Sequence, residues 1–195
     1  MAISLNKGQA LNLTKAADNG LSSVMVGLGW DERKKSTKGF FHALFASESN
    51  IDCDASAFLL KNGKLESNRD IVYYGRRKHD SGAVNHQGDN LTGAGDGDDE
   101  QILIDLNNIP QSYNKVVIVV NIFSAESRQQ NFGMIENAFI RIVDNRTNNE
   151  ICRYNLSNGY DNDTAMVFGE LTREGNGEWT FTAIGKGSRA GSIDD

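Results

Sequence analysis

Proline occurs once in this chain of 195 residues, at Pro110, and cysteine twice, at Cys53 and Cys152. Two separated thiols cannot make a zinc site, and the three histidines (His42, His79, His86) show no ligand spacing that would complete one. So few cysteines fit a reduced compartment, where disulfides are rare. No apolar run reaches the roughly 18 residues of a membrane span. The opening Met1-Ala2-Ile3-Ser4-Leu5-Asn6-Lys7 lacks the charged-then-apolar order of a secretory signal, so the expected compartment is the cytoplasm. An excess of basic charge is also missing. The net charge is −6, and Lys and Arg cluster only as Arg33-Lys34-Lys35 and Arg76-Arg77-Lys78. Phosphate backbones need a basic face, so no nucleic-acid partner is expected.

Glycine, by contrast, occurs twenty times. Short, β-branched apolar segments alternate with turn residues, the pattern of an all-β domain. The strands expected are Ile3–Leu5, Ala10–Thr14, Ser23–Gly27, Ala55–Leu60, Ile71–Tyr74, Gln101–Asp105, Val116–Phe123, Ala138–Val143, Ile151–Asn155, Thr164–Leu171 and Trp179–Ile184. Val116-Val117-Ile118-Val119-Val120 is continuously apolar and reads as a central strand buried on both faces. The stretch from Glu178 to Ile184 alternates, so one of its faces should be wet. About ten such strands in one domain predict a two-sheet β-sandwich with short helices, at Ser124–Phe132 and Leu106–Asn108, in its connections.

A third scarcity points to function. No Lys or Arg occurs from residue 79 through 114, yet that stretch holds Asp89, Asp96, Asp98, Asp99 and Glu100 in the run Gly88-Asp-Asn-Leu-Thr-Gly-Ala-Gly-Asp-Gly-Asp-Asp-Glu100. Like charges this close repel, and a cation is the simplest remedy. Hard oxygen donors at this density suit Ca²⁺, which takes about six to eight of them. The glycines would let the backbone turn and present carbonyls, with Asn90 and Thr92 as secondary donors. Two further acidic stretches join the first. Gly27-Leu-Gly-Trp-Asp31 is expected to end a strand and enter a loop, and Asp52-Cys-Asp-Ala-Ser56 to precede the next strand. Alternation puts Asp52 and Asp54 on one side, about 6–7 Å apart. No single loop fits the EF-hand template, so the site should be shared between separate loops at one end of the sandwich.

Those residues, with Asn137-Ala-Phe-Ile-Arg141, Ala165-Met-Val-Phe-Gly-Glu-Leu171 and the ending Gly177-Glu-Trp179 to Gly185-x-Gly187, resemble the TerD-like tellurium-resistance and stress-protein family of bacteria. The likeness runs from about Ser4 to Gly187, which implies one domain at 1–187 and a polar tail at 188–195. It implies a β-sandwich that binds two Ca²⁺ ions through acidic loops, with Asp31, Asp52, Asp54, Asp89, Asp96, Asp98, Asp99 and Glu100 as the ligand set. It also implies a role in resistance to tellurite, phage and colicins without catalysis. The partners it implies are other tellurium-resistance proteins, among them one embedded in the inner membrane, at whose surface this chain would act. Between Asp31 and Asp52 the chain carries an apolar insertion, residues 36–50, with Gly39-Phe-Phe-His-Ala-Leu-Phe45 beside basic residues. It reads either as a segment folded onto the sandwich or as a docking element whose exposure Ca²⁺ controls.

Three other readings remain open on the residues alone. A Ca²⁺-dependent carbohydrate-binding module would need an exposed aromatic near the metal, for which Trp30 beside Asp31 is the candidate. A hydrolase would use Asp52 and Asp54 as its paired carboxylates. Direct tellurite chemistry would run through Cys53 and Cys152.

Overall fold

Among the described residues, the short β-branched runs fold as two sheets of six strands, face to face. The structure, a computed structural model, describes residues 2–17, 20–33, 51–88, 97–156 and 159–189. In chain order the strands are β1 (Ile3–Leu5), β2 (Ala10–Asn12), β3 (Ser23–Glu32), β4 (Cys53–Leu60), β5 (Ile71–Val72), β6 (Val84–His86), β7 (Glu100–Asp105), β8 (Lys115–Ile122), β9 (Ile135–Asp144), β10 (Asn149–Asn155), β11 (Ala165–Arg173) and β12 (Trp179–Ser188). The first sheet has the order β1-β10-β9-β3-β7-β6, and the second β2-β12-β11-β8-β4-β5. All pairings are antiparallel except that of β1 with β10. Neighbouring strands in sequence often lie in different sheets, so the connections cross between the layers and place strand ends from both sheets at each pole.

Period-two alternation drives the packing. Val24, Val26, Leu28 and Trp30 of β3, Cys53, Ala55, Ala57 and Leu59 of β4, and Ile140 and Ile142 of β9 belong to one buried core. Strand β8 corrects an expectation. It is central, between β4 and β11, but Val116, Ile118, Val120 and Ile122 are buried while Val117 and Val119 are only half-buried. In an antiparallel sandwich one face of each sheet packs on the core and the other faces outward, so a continuous valine run need not be buried on both sides. Strand β12 keeps its alternation, with Trp179, Phe181 and Ala183 buried.

Local hydrogen bonds explain the other departures. The expected strand Ala10–Thr14 stops at Asn12, whose side chain accepts the Lys15 N–H at 3.0 Å and starts a single helical turn, α1 (Leu13–Ala16). Leu106–Asn108 is a turn rather than a helix, because Asp105 Oδ1 takes the Asn108 N–H at 3.2 Å. The helix expected over Ser124–Phe132 shrinks to α2 (Ala125–Arg128), which ends where Gln129 turns left-handed at φ 53°. Ile71–Tyr74 keeps only two strand residues, since Tyr73 and Arg76 close a tight turn. The strand expected at Ser23–Gly27 runs on to Glu32, and β6 had no counterpart in the sequence reading.

Candidate functional site

Because β3 continues past Gly27, the stretch Gly27–Asp31 lies inside a strand, not at the start of a loop, and Asp54 likewise lies within β4. The outward side of β3 then has no side chains at Gly27 and Gly29, and that absence is used. Gly27 stands in register between Gln101 of β7 and Arg141 of β9. A Cβ on Gly27 would come within 2.5 Å of Asp98 Oδ1, and one on Gly29 within 2.7 Å of the Gly97 carbonyl oxygen. Residues 97–99 therefore lie directly against the bare backbone of β3.

The Asp98 side chain is fully enclosed there. Arg141 donates to it twice, from Nε to Oδ1 at 2.7 Å and from Nη2 to Oδ2 at 2.9 Å, and Gln101 Nε2 adds a third bond to Oδ2 at 3.1 Å. The basic partner missing from the sequence around the acidic run is thus supplied from 43 residues away. Arg141 Nη1 also reaches Glu150 at 3.2 Å, and Glu150 accepts two bonds from Arg153, each at 3.0 Å. Arg153 lies over the Phe139 ring at 4.2 Å. These bonds hold the Glu150 carboxyl below its ordinary range, with Arg153 the largest influence, and raise the Arg141 guanidinium, chiefly through Asp98.

Asp99 points elsewhere. Its N–H donates to the Leu28 carbonyl at 2.7 Å, and its Oδ2 accepts the Trp30 N–H at 2.9 Å, so the side chain carries on the ladder of β3 where β7 has not begun. Burial raises its carboxyl above the ordinary value. The Trp30 N–H opposes that, and the charges of Asp31 and Asp98 add to it. Asp31 is exposed, and its Oδ2 accepts from Asn137 Nδ2 at 2.8 Å. Asn137 is left-handed, at φ 55°, beside the register shift between Gly29 and Asp31. The bulge aims its amide at Asp31.

On the second sheet Asp52 and Asp54 are both buried, at the entry to β4. The Asp52 carbonyl accepts the Phe123 N–H at 2.7 Å, and Asp54 stands opposite Asn121 of β8. Glu100 faces inward with Ile102 and Ile104 and meets His86 Nε2 at 2.8 Å, both side chains being buried. His86 Nδ1 accepts the Gly88 N–H at 3.2 Å, which leaves the ring proton on Nε2 facing Glu100. Burial pushes the Cys53 thiol well up, and the charges of Asp52, Asp54, Asp99 and Glu100 push it further. Carboxylates of both sheets therefore gather around one sulfur at one pole of the sandwich. Beside them opens a cleft of about 710 Å³, lined among others by Asp31, Asp99, Asn137, Phe139, Arg153 and Tyr160.

Among the described residues, no three His, Cys, Asp or Glu side chains converge into a group able to hold a metal ion by themselves. Asp89, Asp96, Asn90, Thr92 and the insertion at 36–50 lie outside the described residues. Trp30 is 5% exposed and packs in the core, so it offers no ring face to a sugar. Cys53 and Cys152 are free, buried and on different sheets, and burial lifts the Cys152 thiol to about 12, so neither supplies the thiolate that metalloid chemistry would need. A second polar cluster sits away from this pole. Tyr113 donates to Asp70 at 2.6 Å, and His79 lies 3.5 Å from Asp70 and 2.7 Å from Ser81 Oγ. Ser81 Oγ also receives the Ala83 N–H at 3.2 Å and His79 Nδ1 the Ser81 N–H at 3.2 Å, so the serine closes a local turn.

Sequence reasoning missed Arg141, Asn137 and His86 as parts of this pole. Alternation held the signal for one of them: Val84-x-His86 puts a polar side chain on an apolar face, as Glu100-x-Ile102-x-Ile104 does for its partner.

Fold and site together define a class: an all-β sandwich with carboxylates from strand ends of both sheets drawn to one pole. Within that class the family is settled by direct similarity. The family model described as the TerD domain matches residues 1–194, and the chain belongs to that tellurium-resistance and stress-response family. It is 48% identical over 196 residues to stress response protein SCP2 of Bacillus subtilis, covering all of this chain and 97% of that one. It is 44% identical over 192 residues to tellurium resistance protein TerD of Serratia marcescens, covering 98% and 93%. A crystal structure of a homologue of telluride resistance protein (TerD) from Streptomyces coelicolor superposes with a TM-score of 0.65 at 21% identity, over 88% of this chain and 92% of that one, and shares the fold.

Proposed function

We propose that this chain is a calcium-binding stress-response protein that acts in the cytoplasm by metal-linked ordering of its loops and by partner binding, not by catalysis. One observation carries the reading. Acids from both sheets share one pole, and there burial, with the charges of Asp31 and Asp98, raises the Asp99 carboxyl above its ordinary value. A divalent cation removes that repulsion, and an all-carboxylate donor set suits a hard ion such as Ca²⁺. The residues proposed to hold two ions are Asp31, Asp52, Asp54 and Asp99, with Asp89, Asp96 and Glu100. Asp98, which the sequence places in the same donor set, is occupied by Arg141. The bound ion would supply positive charge and a fixed oxygen geometry. The chain's own contribution is to bring strand ends of two sheets together so that the loops between them order around it.

An ion that binds only the folded loops stabilises them by RT ln(1 + [L]/Kd), about 2.7 kcal/mol at a hundredfold excess over Kd. The ordered pole is then the surface offered to other tellurium-resistance proteins, including a partner embedded in the inner membrane. Calorimetric titration with Ca²⁺ is expected to show saturable binding, with a matching rise in melting temperature. A flat titration at millimolar Ca²⁺ with an unmoved melting curve overturns the reading.

A further inference from the structure

The socket around Asp98 separates the tasks of two neighbouring acids, Asp98 and Asp99. We propose that Asp98 anchors residues 97–99 to the first sheet and does not ligate the ion, and that Arg141 is a positioning residue that sets cation affinity without touching the cation. The effect on affinity rests on the calcium reading above, whereas the anchor itself does not.

Both Asp98 oxygens are engaged, by three N–H donors at 2.7, 2.9 and 3.1 Å. The paired guanidinium contact is the strongest geometry a carboxylate finds in a protein. The side chain is fully enclosed, and the space it fills exists because residue 27 has no Cβ. Arg141 is braced in turn by Glu150, which Arg153 holds from the other side. Gln101, Gly27, Arg141 and Arg153 form one row across four adjacent strands, β7, β3, β9 and β10, so the socket belongs to the sheet and not to the loop.

The next residue shows what the anchor is for. With Asp98 fixed over Gly27, the Asp99 N–H reaches Leu28 and its carboxylate reaches the Trp30 N–H at the mouth of the cleft. One acid is spent holding the chain and its neighbour is presented at the pole. A ligand role for Asp98 would require breaking three bonds and stranding a partly buried Arg141.

The two roles predict opposite signs for one variant. If Asp98 were a ligand, Arg141→Gln would free a carboxylate and remove a competing positive charge, so Ca²⁺ would bind more tightly. If Asp98 is the anchor, Arg141→Gln releases residues 97–99, and the ion must order them on binding. Affinity then falls about tenfold, since a loss near 1.4 kcal/mol is a factor of ten. Asp98→Asn should weaken binding by a similar factor, and the double variant no more than either single one, because both break the same contact. Arg141→Lys should restore part of the loss. Calorimetric titration of the full chain and its variants with Ca²⁺ reads these factors, and melting curves check that each variant is folded.

Amide exchange in EDTA is the second readout. Arg141→Gln should speed exchange at Trp30 and Asp99 and leave the core of β8 unchanged. Tighter or unaltered Ca²⁺ binding in Arg141→Gln, with binding abolished in Asp98→Asn, overturns the proposal. Unaltered exchange at Trp30 and Asp99 also overturns it. If the wild-type chain binds no Ca²⁺, the calcium reading fails, and the exchange result alone decides the anchor.

Discussion

Gly27→Ala tests the socket by filling it. The added methyl would come within 2.5 Å of Asp98 Oδ1, where a carbon–oxygen contact normally needs well over 3 Å. The strand cannot yield, since Gly27 is paired on both sides, to Gln101 and to Arg141. Asp98 must therefore leave. Breaking a buried ion pair costs about 3–5 kcal/mol. Here Arg141 is 27% exposed and keeps Glu150, so a loss of about 2–3 kcal/mol is the better expectation. Gly27 is not among the residues with positive φ, so alanine at this backbone also restricts the unfolded chain and returns about 0.4–1 kcal/mol. The net loss is about 1–2.5 kcal/mol, or roughly 2–10 °C in melting temperature for a chain of this size. In an Asp98→Ala background nothing occupies the socket, and the same Gly27→Ala change should become neutral or stabilising. Urea denaturation of the four proteins in EDTA gives the cycle directly. An equal cost of Gly27→Ala in both backgrounds would refute the reasoning, because the strain would then lie in the strand and not in Asp98.

Three further outcomes follow from the same pole. Removing the imidazole in His86→Ala leaves Glu100 buried without its 2.8 Å partner and should cost about 3 kcal/mol or more in urea denaturation; a loss under about 1 kcal/mol would sink the buried pair. Both thiols should resist a disulfide reagent at about pH 8 in the native protein and react at once in urea, whereas rapid native labelling would contradict their burial. The pH dependence has two signs. The carboxyl of Asp99 is raised, so its contribution is present below the ordinary carboxylate range and lost as pH rises through the raised value; Asp99→Asn should therefore melt higher than wild type at pH 7 in EDTA. The carboxyl of Glu150 is lowered, so its contribution is present above the ordinary range and lost as pH falls through the lowered value; Glu150→Gln should melt lower at pH 7 and match wild type near pH 2. Melting curves at the two pH values check both, and like-signed shifts at pH 7 would be inconsistent with them.

The fold was legible because its signal is local. Alternation and turn residues mark most strands, and β12 shows the pattern that its sequence carries. Where the reading failed, a single side chain or a distant strand decided. Asn12 captures the Lys15 N–H and ends β2 early, which no apolar pattern records. Strand β3 runs on to Glu32 because β9 pairs with it that far, and that partner lies more than a hundred residues away. Asp98, Asp99 and Glu100 were legible from charge density, since repulsion is visible in one segment. Their partners were not. Arg141 and Asn137 reach the site only through the register of β9 against β3, and register is a tertiary fact. The glycines were misread for a related reason. Gly27 and Gly29 were expected where a strand ends and a loop begins, but both lie inside β3, where they are clearance for residues 97–99.

The first dozen residues belong to both sheets. Strand β1 lies parallel to β10, with Ile3 beside Cys152, and β2 closes the second sheet against β12, with Asn12 opposite Thr180. Strand β2 thus waits for a partner made much later in the chain. The 168 residues between Asn12 and Thr180 take about 8–34 s to synthesise at ordinary rates. Strand β1 can pair once β10 is made, whereas β2 has no strand to pair with until β12 follows. Removing β12 would therefore release β2, and the damage from its loss would first be felt at residue 10.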